Sequence, residues 1–164
     1  NLMHRCGVEK FIAAAARAGV DGLLVLDLPP EEADTYEELM RAAGLCAIWL
    51  VAPTTPDERI ALIVKRGTGF IYYISREGVT GMQANVAGNL AERVALIRQH
   101  TALPIAVGFG ISNPEQARQV ASAADGAVVG SAVVNQIAQL GKSPDLVPRL
   151  EAFVKSLGDG VKGR

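Results

Sequence analysis

The sequence predicts an α/β protein of the parallel (β/α)8-barrel class, with about five βα units present. Five short apolar runs alternate with helical segments at intervals of roughly 22–30 residues, as in βα repeats. Each run is apolar on successive residues, which is typical of strands buried on both faces of a parallel sheet. Glycines follow the last two runs, where a barrel binds phosphate, whereas a doubly wound sheet usually has its phosphate loop after the first strand.

Length and composition narrow the functional classes. The 164 residues suffice for one domain with a sizeable core. A net charge of -1 without a basic run gives no attraction toward nucleic acid or anionic membranes. Cys6 and Cys46 are not spaced as metal ligands, so we expect both to be reduced thiols of a cytosolic protein. We expect His4 and His100 to lie at the surface or at helix ends. No apolar run approaches the roughly 20 residues of a membrane span, and no basic segment of the sequence is followed by the apolar segment of a secretory signal. The sequence begins at Asn1 without Met.

In chain order, we expect a loop at residues 1–7 and a helix at Val8–Ala18 that ends at Gly19. Gly22–Leu28 is the first predicted strand, and the acids after Pro29 and Pro30 predict a helix reaching about Ala43. The later predicted elements are a strand at 46–51, a helix at 55–66, a strand at 70–75, a loop at 76–88, a helix at 89–99, and, after the last strands, helices at 131–140 and 146–157.

The last two apolar runs, Ile105–Ser112 and Gly126–Ala132, each pass through glycine into a predicted helix. Asn113 and Pro114 suit the N-cap and first position of the helix between them. The first N–H groups of a helix have no intrahelical partner and lie at the positive end of its dipole, so such turns favour an anion. Two in succession predict one phosphate held between them; alternatively, the glycines only permit tight βα turns.

Functional residues of a barrel lie at the carboxyl ends of its strands. Asp27 is a candidate general base or hydrogen-bond acceptor, or it only orients the Pro-Pro turn that follows. Tyr72 is preferred to Tyr73, because alternation directs one of the two into the barrel; its other role would be core packing. Leu50 and Phe109 would floor an apolar pocket or belong to the core.

The segment 75–85 is long for a βα connection and contains two glycines. Both features suit a lid that closes over a ligand, and the alternative is an ordinary surface loop. The sequence contains no Ser-His-Asp arrangement, HExxH motif or Walker loop. These absences leave phosphate binding as the best-supported chemistry.

Several motifs together resemble the tryptophan synthase alpha subunit family. They occur in the family's order and spacing, cover the whole chain, and include the specific Ser-Arg-x-Gly-Val-Thr-Gly loop. The matching segments are Gly19–Gly22, Val25–Glu32, Tyr72–Gly81, Gly108–Ser112 and Gly130–Val134.

The resemblance implies a TIM barrel and a lyase of tryptophan biosynthesis in the cytoplasm. Such an enzyme cleaves indole-3-glycerol phosphate to indole and glyceraldehyde 3-phosphate. In the family, indole passes through a tunnel to a beta subunit that carries pyridoxal phosphate, so the resemblance implies no cofactor in this chain. The expected partners are that subunit and the phosphorylated substrate.

The resemblance also assigns residues by position. Backbone groups that bind the phosphate would lie around Gly81, Gly110, Gly130 and Ser131. Side chains that contact the indole moiety would be Leu24, Leu50, Phe109 and Val128. Thr80 would contact substrate from the lid, Tyr72 would be an accessory group beside the reacting atoms, and Asp27, Pro29 and Pro30 would face the beta subunit and the lid.

One departure from the family pattern is large. The sequence matches strands four to eight, as a single C-terminal domain at 1–164, and lacks the strands that carry the family's catalytic glutamate and aspartate. We therefore expect little turnover from these residues alone. Five βα units leave two open sheet edges, which predicts self-association or pairing with an N-terminal fragment. The alternatives are a binding or assembly unit without catalysis, and another phosphate-binding barrel enzyme.

Overall fold

Five parallel strands form one sheet whose spatial order equals their order in the sequence. The computed structural model describes residues 2–75, 83–108 and 110–163, and gives the backbone alone for 83–89. The strands are β1 (Gly22–Leu24), β2 (Cys46–Val51), β3 (Ile71–Ile74), β4 (Ile105–Gly108) and β5 (Gly126–Val128). The strand order does not reverse, unlike that of a doubly wound sheet, and the predicted class of a partial βα barrel is confirmed.

Helices follow each strand and return the chain to the same end of the sheet. In chain order they are α1 (Leu2–Cys6), α2 (Val8–Arg17), a 3-10 helix (Pro30–Glu32), α3 (Asp34–Ala42), α4 (Asp57–Val64), α5 (Gln83–Arg98), α6 (Pro114–Ala121), α7 (Ser131–Leu140) and α8 (Leu146–Val161). Among these described helices, none combines the length and apolar character that a membrane span requires.

The two faces of the sheet differ in how well they are covered. The face toward the helices carries fully buried side chains, namely Ala47, Trp49, Val51, Ile71, Tyr73, Ile105 and Val107. The opposite face, which we call the inner face, carries partly exposed apolar side chains, namely Leu24, Cys46, Ile48, Leu50, Tyr72 and Ile74. The expectation of strands buried on both faces is therefore met on one face only within the described structure.

Several element predictions were wrong in detail. The predicted N-terminal loop contains α1, which ends where Gly7 adopts a φ of 85°. The first strand stops at Leu24, because the chain turns at residues 26–27 and leaves its β2 partner. The single helix predicted after Pro29 is a 3-10 turn followed by α3.

A further correction concerns α5, which begins at Gln83 rather than at Asn89. The apolar spacing of Leu90, Val94 and Ile97 marks only its buried part, and all three are buried. Its first turns lack that pattern, so apolar periodicity does not predict a helix there. The loop predicted at 76–88 is therefore wrong for 83–88, and its part at 76–82 lies outside the described residues.

Candidate functional site

The predicted indole-contacting side chains that the structure describes lie on the inner face. The parallel register places Leu50 beside Tyr72 and Gly108 beside Val128. Leu24 lies in β1 on the same face, opposite Ile48 of β2. These positions form an apolar surface near the carboxyl ends of the strands, which is where barrel enzymes bind substrates.

Tyr72 lies on this surface, whereas Tyr73 is buried against the helices, as alternation along the strand predicts. The Tyr72 ring crosses toward β4 and covers Gly108. A Cβ atom at position 108 would lie 2.9 Å from Tyr72 Cζ and 3.0 Å from Val128 Cβ. Gly108 therefore provides the space that the Tyr72 ring occupies, a role that the sequence pattern did not reveal.

The turn after β4 is held by one buried glutamine. Gly110 has a φ of 70°, a left-handed conformation that glycine adopts without strain. The backbone N–H and hydroxyl of Ser112 donate to Gln116 Oε1 at 2.7 and 3.1 Å. Gln116 N–H in turn donates to Asn113 Oδ1 at 2.9 Å, which confirms Asn113 as the N-cap of α6. The loop that begins at Gly110 therefore has a fixed shape.

The turn after β5 is open. Gly130 is the N-cap of α7, and no side chain caps that helix end. A Cβ atom at Gly130 would have no heavy atom within 4 Å, and both Gly130 and Ser131 are exposed. Because β4 and β5 are parallel neighbours, their following turns leave the same edge of the sheet. The uncapped N–H groups of α7 could there bind an anion.

Asp27, Pro29 and Pro30 follow β1. Asp27 is exposed in a turn, and Pro30 is buried at the start of the 3-10 helix. Glu31 in that helix forms a bidentate pair with Arg59 of α4, with Arg59 Nη2 and Glu31 Oε2 3.0 Å apart. The Arg59 hydrogen bond lowers the pKa of Glu31. This exposed pair links the loop after β1 to α4.

Three predicted site residues, Thr80, Gly81 and Phe109, lie outside the described residues, as does most of the predicted lid. Two further residues were missed by the sequence analysis. Gln116 carries a detectable signal, because Asn followed three residues later by Gln is a capping-box pattern. Arg93, which binds the loop after β2, carries none, because its acceptors are about 40 residues away in sequence.

A cavity of about 400 Å³ opens at the opposite, amino end of the strands, lined by Cys46, Ile48 and Phe70 among others. Asp125 at its rim accepts hydrogen bonds from Ile105 N–H and Arg98 Nη2, each at 2.8 Å. The Ile105 bond first, and then Arg98, lower the pKa of this carboxyl group. Because these bonds connect the start of β5 to β4 and α5, we assign Asp125 a structural role and not a catalytic one. The cavity is the uncovered lower part of the inner face.

The ionisable groups at the inner-face positions of the five strands are the Tyr72 hydroxyl and the Cys46 thiol, near opposite ends of the sheet. Within the described ranges, no three His, Cys, Asp or Glu side chains cluster so as to hold a metal ion. The arrangement therefore offers apolar contact, one phenol and backbone N–H groups, which suits binding of an apolar phosphate ester.

Five sequential parallel βα units, with glycine turns after the last two strands, define part of a βα barrel. The family model described as "Tryptophan synthase alpha chain" matches residues 1–162. The chain belongs to the tryptophan synthase alpha chain family.

Known relatives agree. The tryptophan synthase alpha chain of Opitutus terrae is 56% identical over 163 residues, which cover 99% of this chain and 61% of the relative. That of Geotalea daltonii is 47% identical over 94% of this chain and 58% of the relative. The chain therefore spans about 60% of the length of these relatives.

Solved structures show the same relation. Tryptophan synthase from M. tuberculosis superposes with a TM-score of 0.85 at 34% identity, over 99% of this chain and 59% of that one. A mutant tryptophan synthase alpha-subunit from Pyrococcus furiosus superposes with a TM-score of 0.82 at 37% identity, over 96% of this chain and 62% of that chain. The sheet and helices described above are thus an arrangement that this family adopts.

Proposed function

We propose that residues 1–164 form one domain corresponding to strands four to eight of the family barrel, and that this domain binds the substrate of the alpha subunit, indole-3-glycerol phosphate. One observation carries the proposal. The apolar side chains of Leu24, Leu50, Tyr72 and Val128 lie on the inner face near the carboxyl ends of the strands, where the turns after β4 and β5 begin.

The indole ring and the phosphate group of the ligand require different contacts. Indole is a flat apolar ring, and Leu50 and Val128 supply apolar contact on either side of Tyr72. The phosphate needs N–H donors, which would come from the backbone around Gly110 in the loop after β4 and around Gly130 and Ser131 at the start of α7. Gly81, Thr80 and Phe109 complete the proposed contacts by family resemblance.

Cleavage in the family requires two proton transfers. Indole C3 gains a proton, the adjacent glycerol hydroxyl loses one, and the electrons of the broken carbon–carbon bond return to the ring, which yields indole and glyceraldehyde 3-phosphate. Among the described inner-face positions, the ionisable group toward the carboxyl ends of the strands is the Tyr72 hydroxyl. One phenol cannot replace two carboxylates, so we expect residues 1–164 to bind substrate but to show little lyase turnover by themselves.

By family resemblance we also propose the beta subunit as partner and the cytoplasm as location. Asp27, Pro29 and Pro30 would face that subunit, whose pyridoxal phosphate would supply the later chemistry. This chain would then need no cofactor of its own.

Calorimetric titration tests the proposal. We expect the chain to bind indole-3-propanol phosphate, an uncleavable analogue, more tightly than inorganic phosphate, with little indole released from the true substrate. Gly130→Ala should weaken both ligands, because the methyl group would occupy the open space beside the N–H groups. Gly158→Ala in α8 is the matched control, since position 158 is equally open. Equal affinity for both ligands would favour another phosphate-binding barrel enzyme instead.

A second candidate role is an assembly unit. It is favoured by the edges of β1 and β5, each paired on one side only within the described sheet, and by the uncovered inner face. We expect self-association through these surfaces. A monodisperse monomer by light scattering at all concentrations would contradict this role.

A further inference from the structure

We infer that Arg93 is a positioning residue for the candidate site: its guanidinium holds the loop at 52–56, which follows the strand that carries Leu50. The inference rests on the proposed function, because it names a residue that shapes the indole end of that site. The family resemblance assigned no role to Arg93.

The contacts are specific and long-range. Arg93 Nη2 donates to the carbonyl oxygen of Pro53 at 2.9 Å and to that of Thr55 at 3.2 Å. These bonds connect α5 to the loop between β2 and α4. The side chain is half-buried, so solvent competes only partly for the two carbonyl groups.

The loop determines its own shape and is joined to two helices. Thr55 N–H donates to Ala52 O at 3.0 Å, and Ala52 N–H donates to Thr55 Oγ1 at 3.0 Å. These bonds close a tight turn. The turn runs directly into α4, where Pro56 O accepts a hydrogen bond from Ile60 N–H at 2.9 Å and no side chain caps the helix start. The two Arg93 bonds join the same turn to α5.

The cost of this arrangement favours a positioning role. Arg93 Nε is buried and has no hydrogen-bond partner among the described residues, and such a donor opposes folding. An apolar side chain would fill the same space without that penalty. What only a polar side chain supplies here is the fixed position of the two carbonyl groups.

The position of the turn matters most for one end of the site. Leu50 is two residues before Ala52 and pairs with Tyr72, so movement of the turn displaces the apolar surface proposed to contact indole. The described part of the proposed phosphate site, at Gly110, Gly130 and Ser131, follows β4 and β5, on the far side of β3 from Leu50. Loosening the turn should therefore weaken contact with the ring and leave phosphate binding unchanged.

The test compares three variants of the full chain: Arg93→Ala, Arg93→Lys and Arg98→Ala. Arg98 is the matched control, because it lies in the same helix but binds Asp125 at the opposite end of the sheet. Calorimetry measures affinity for indole-3-propanol phosphate and for inorganic phosphate. Hydrogen exchange measures protection of the Ala52 and Thr55 amides, and circular dichroism confirms folding.

We expect Arg93→Ala to weaken the indole ligand on the order of tenfold, because misplaced contacts lose much of their effect. Phosphate affinity should stay within about twofold, and the two amides should exchange faster. Lysine should restore most of the affinity, since its ammonium group can donate to both carbonyls. Arg98→Ala should change neither the affinity ratio nor the exchange of these amides.

Equal loss of both ligands, or unchanged affinity and exchange in Arg93→Ala, would overturn the inference. If the parent chain binds neither ligand, the proposed function fails. The exchange of Ala52 and Thr55 then still decides whether Arg93 holds the turn, because that measurement needs no ligand.

Discussion

Gly108 shows that a side chain on the neighbouring strand can require glycine at a given position. The Tyr72 ring occupies the space where a side chain at 108 would lie. We expect Gly108→Ala to force this ring aside and to destabilise the fold by about 1–3 kcal/mol, as overpacking does. Urea unfolding measures the change. Gly130→Ala is the control and should stay within about 0.5 kcal/mol, because its methyl group meets open space. Equal effects of the two substitutions would show that Tyr72 does not occupy this space.

Asp125 gives a prediction that depends on pH. Its folded-state pKa lies below the ordinary value of 3.8, so its stabilising contribution is complete above that value and is lost as the pH falls through the folded pKa. We expect Asp125→Asn to cost up to about 1 kcal/mol at pH 7, since the carboxylate is partly exposed. Urea titrations at successively lower pH should show this difference shrinking as the pH falls below 3.8. A difference independent of pH would assign the effect to packing.

For single residues, the sequence predicted the direction in which a side chain points better than it predicted the residues that the side chain contacts. Alternation was enough to place Tyr72 on the inner face and Tyr73 in the core. That Tyr72 covers Gly108 depends on the register between β3 and β4, which no local pattern contains. The acceptors of Arg93 are likewise brought to it only by the tertiary fold. The face on which Tyr72 lies was therefore accessible from sequence, whereas the partners of Tyr72 and Arg93 were not.

Among the elements, α8 depends on a close approach to α6. A Cβ atom at Gly160 would lie 2.9 Å from Pro114 Cα and 3.0 Å from its carbonyl carbon. Because backbone cannot move aside easily, we expect Gly160→Ala to destabilise by about 1–3 kcal/mol. Gly158→Ala, two residues earlier and in open space, should stabilise by up to about 1 kcal/mol through helix propensity. Thermal unfolding compares them, and stabilisation by both would contradict the close approach.

The same helix shows why element boundaries escaped sequence analysis. The prediction ended α8 at Leu157, before two glycines that disfavour helix, yet the helix continues to Val161. The buried Gly160 packs on α6, and this tertiary contact outweighs the local preference. Elements with a strong local signal, such as β2 at Cys46–Val51 and α7 at Ser131–Leu140, were predicted with correct boundaries. Boundaries set by packing were not.

At the scale of the whole molecule, the sheet has a core on one side only. Helices cover the face of Trp49, Ile71 and Val107, while Leu50 and Ile74 on the inner face remain partly exposed. Relatives of this chain are longer, since it spans about 60% of their length. The proposed binding surface and the uncovered surface are thus the same face, and whatever covers this face also determines access to the proposed site.

The edge strand β1 allows a test of whether copies of the chain cover one another. Leu24 lies at this edge, on the inner face, and is 36% exposed. Inward-pointing charge on an edge strand opposes pairing with another sheet. We expect Leu24→Lys to shift the mass measured by light scattering toward the 17.2 kDa monomer, with an unchanged circular dichroism spectrum. Leu62→Lys is the control, because Leu62 is similarly exposed at 41% but lies on α4, away from both edges. If both lysines lower the mass equally, general charge repulsion rather than the β1 edge governs association; a parent chain that is already monomeric would leave the inner face open to ligand alone.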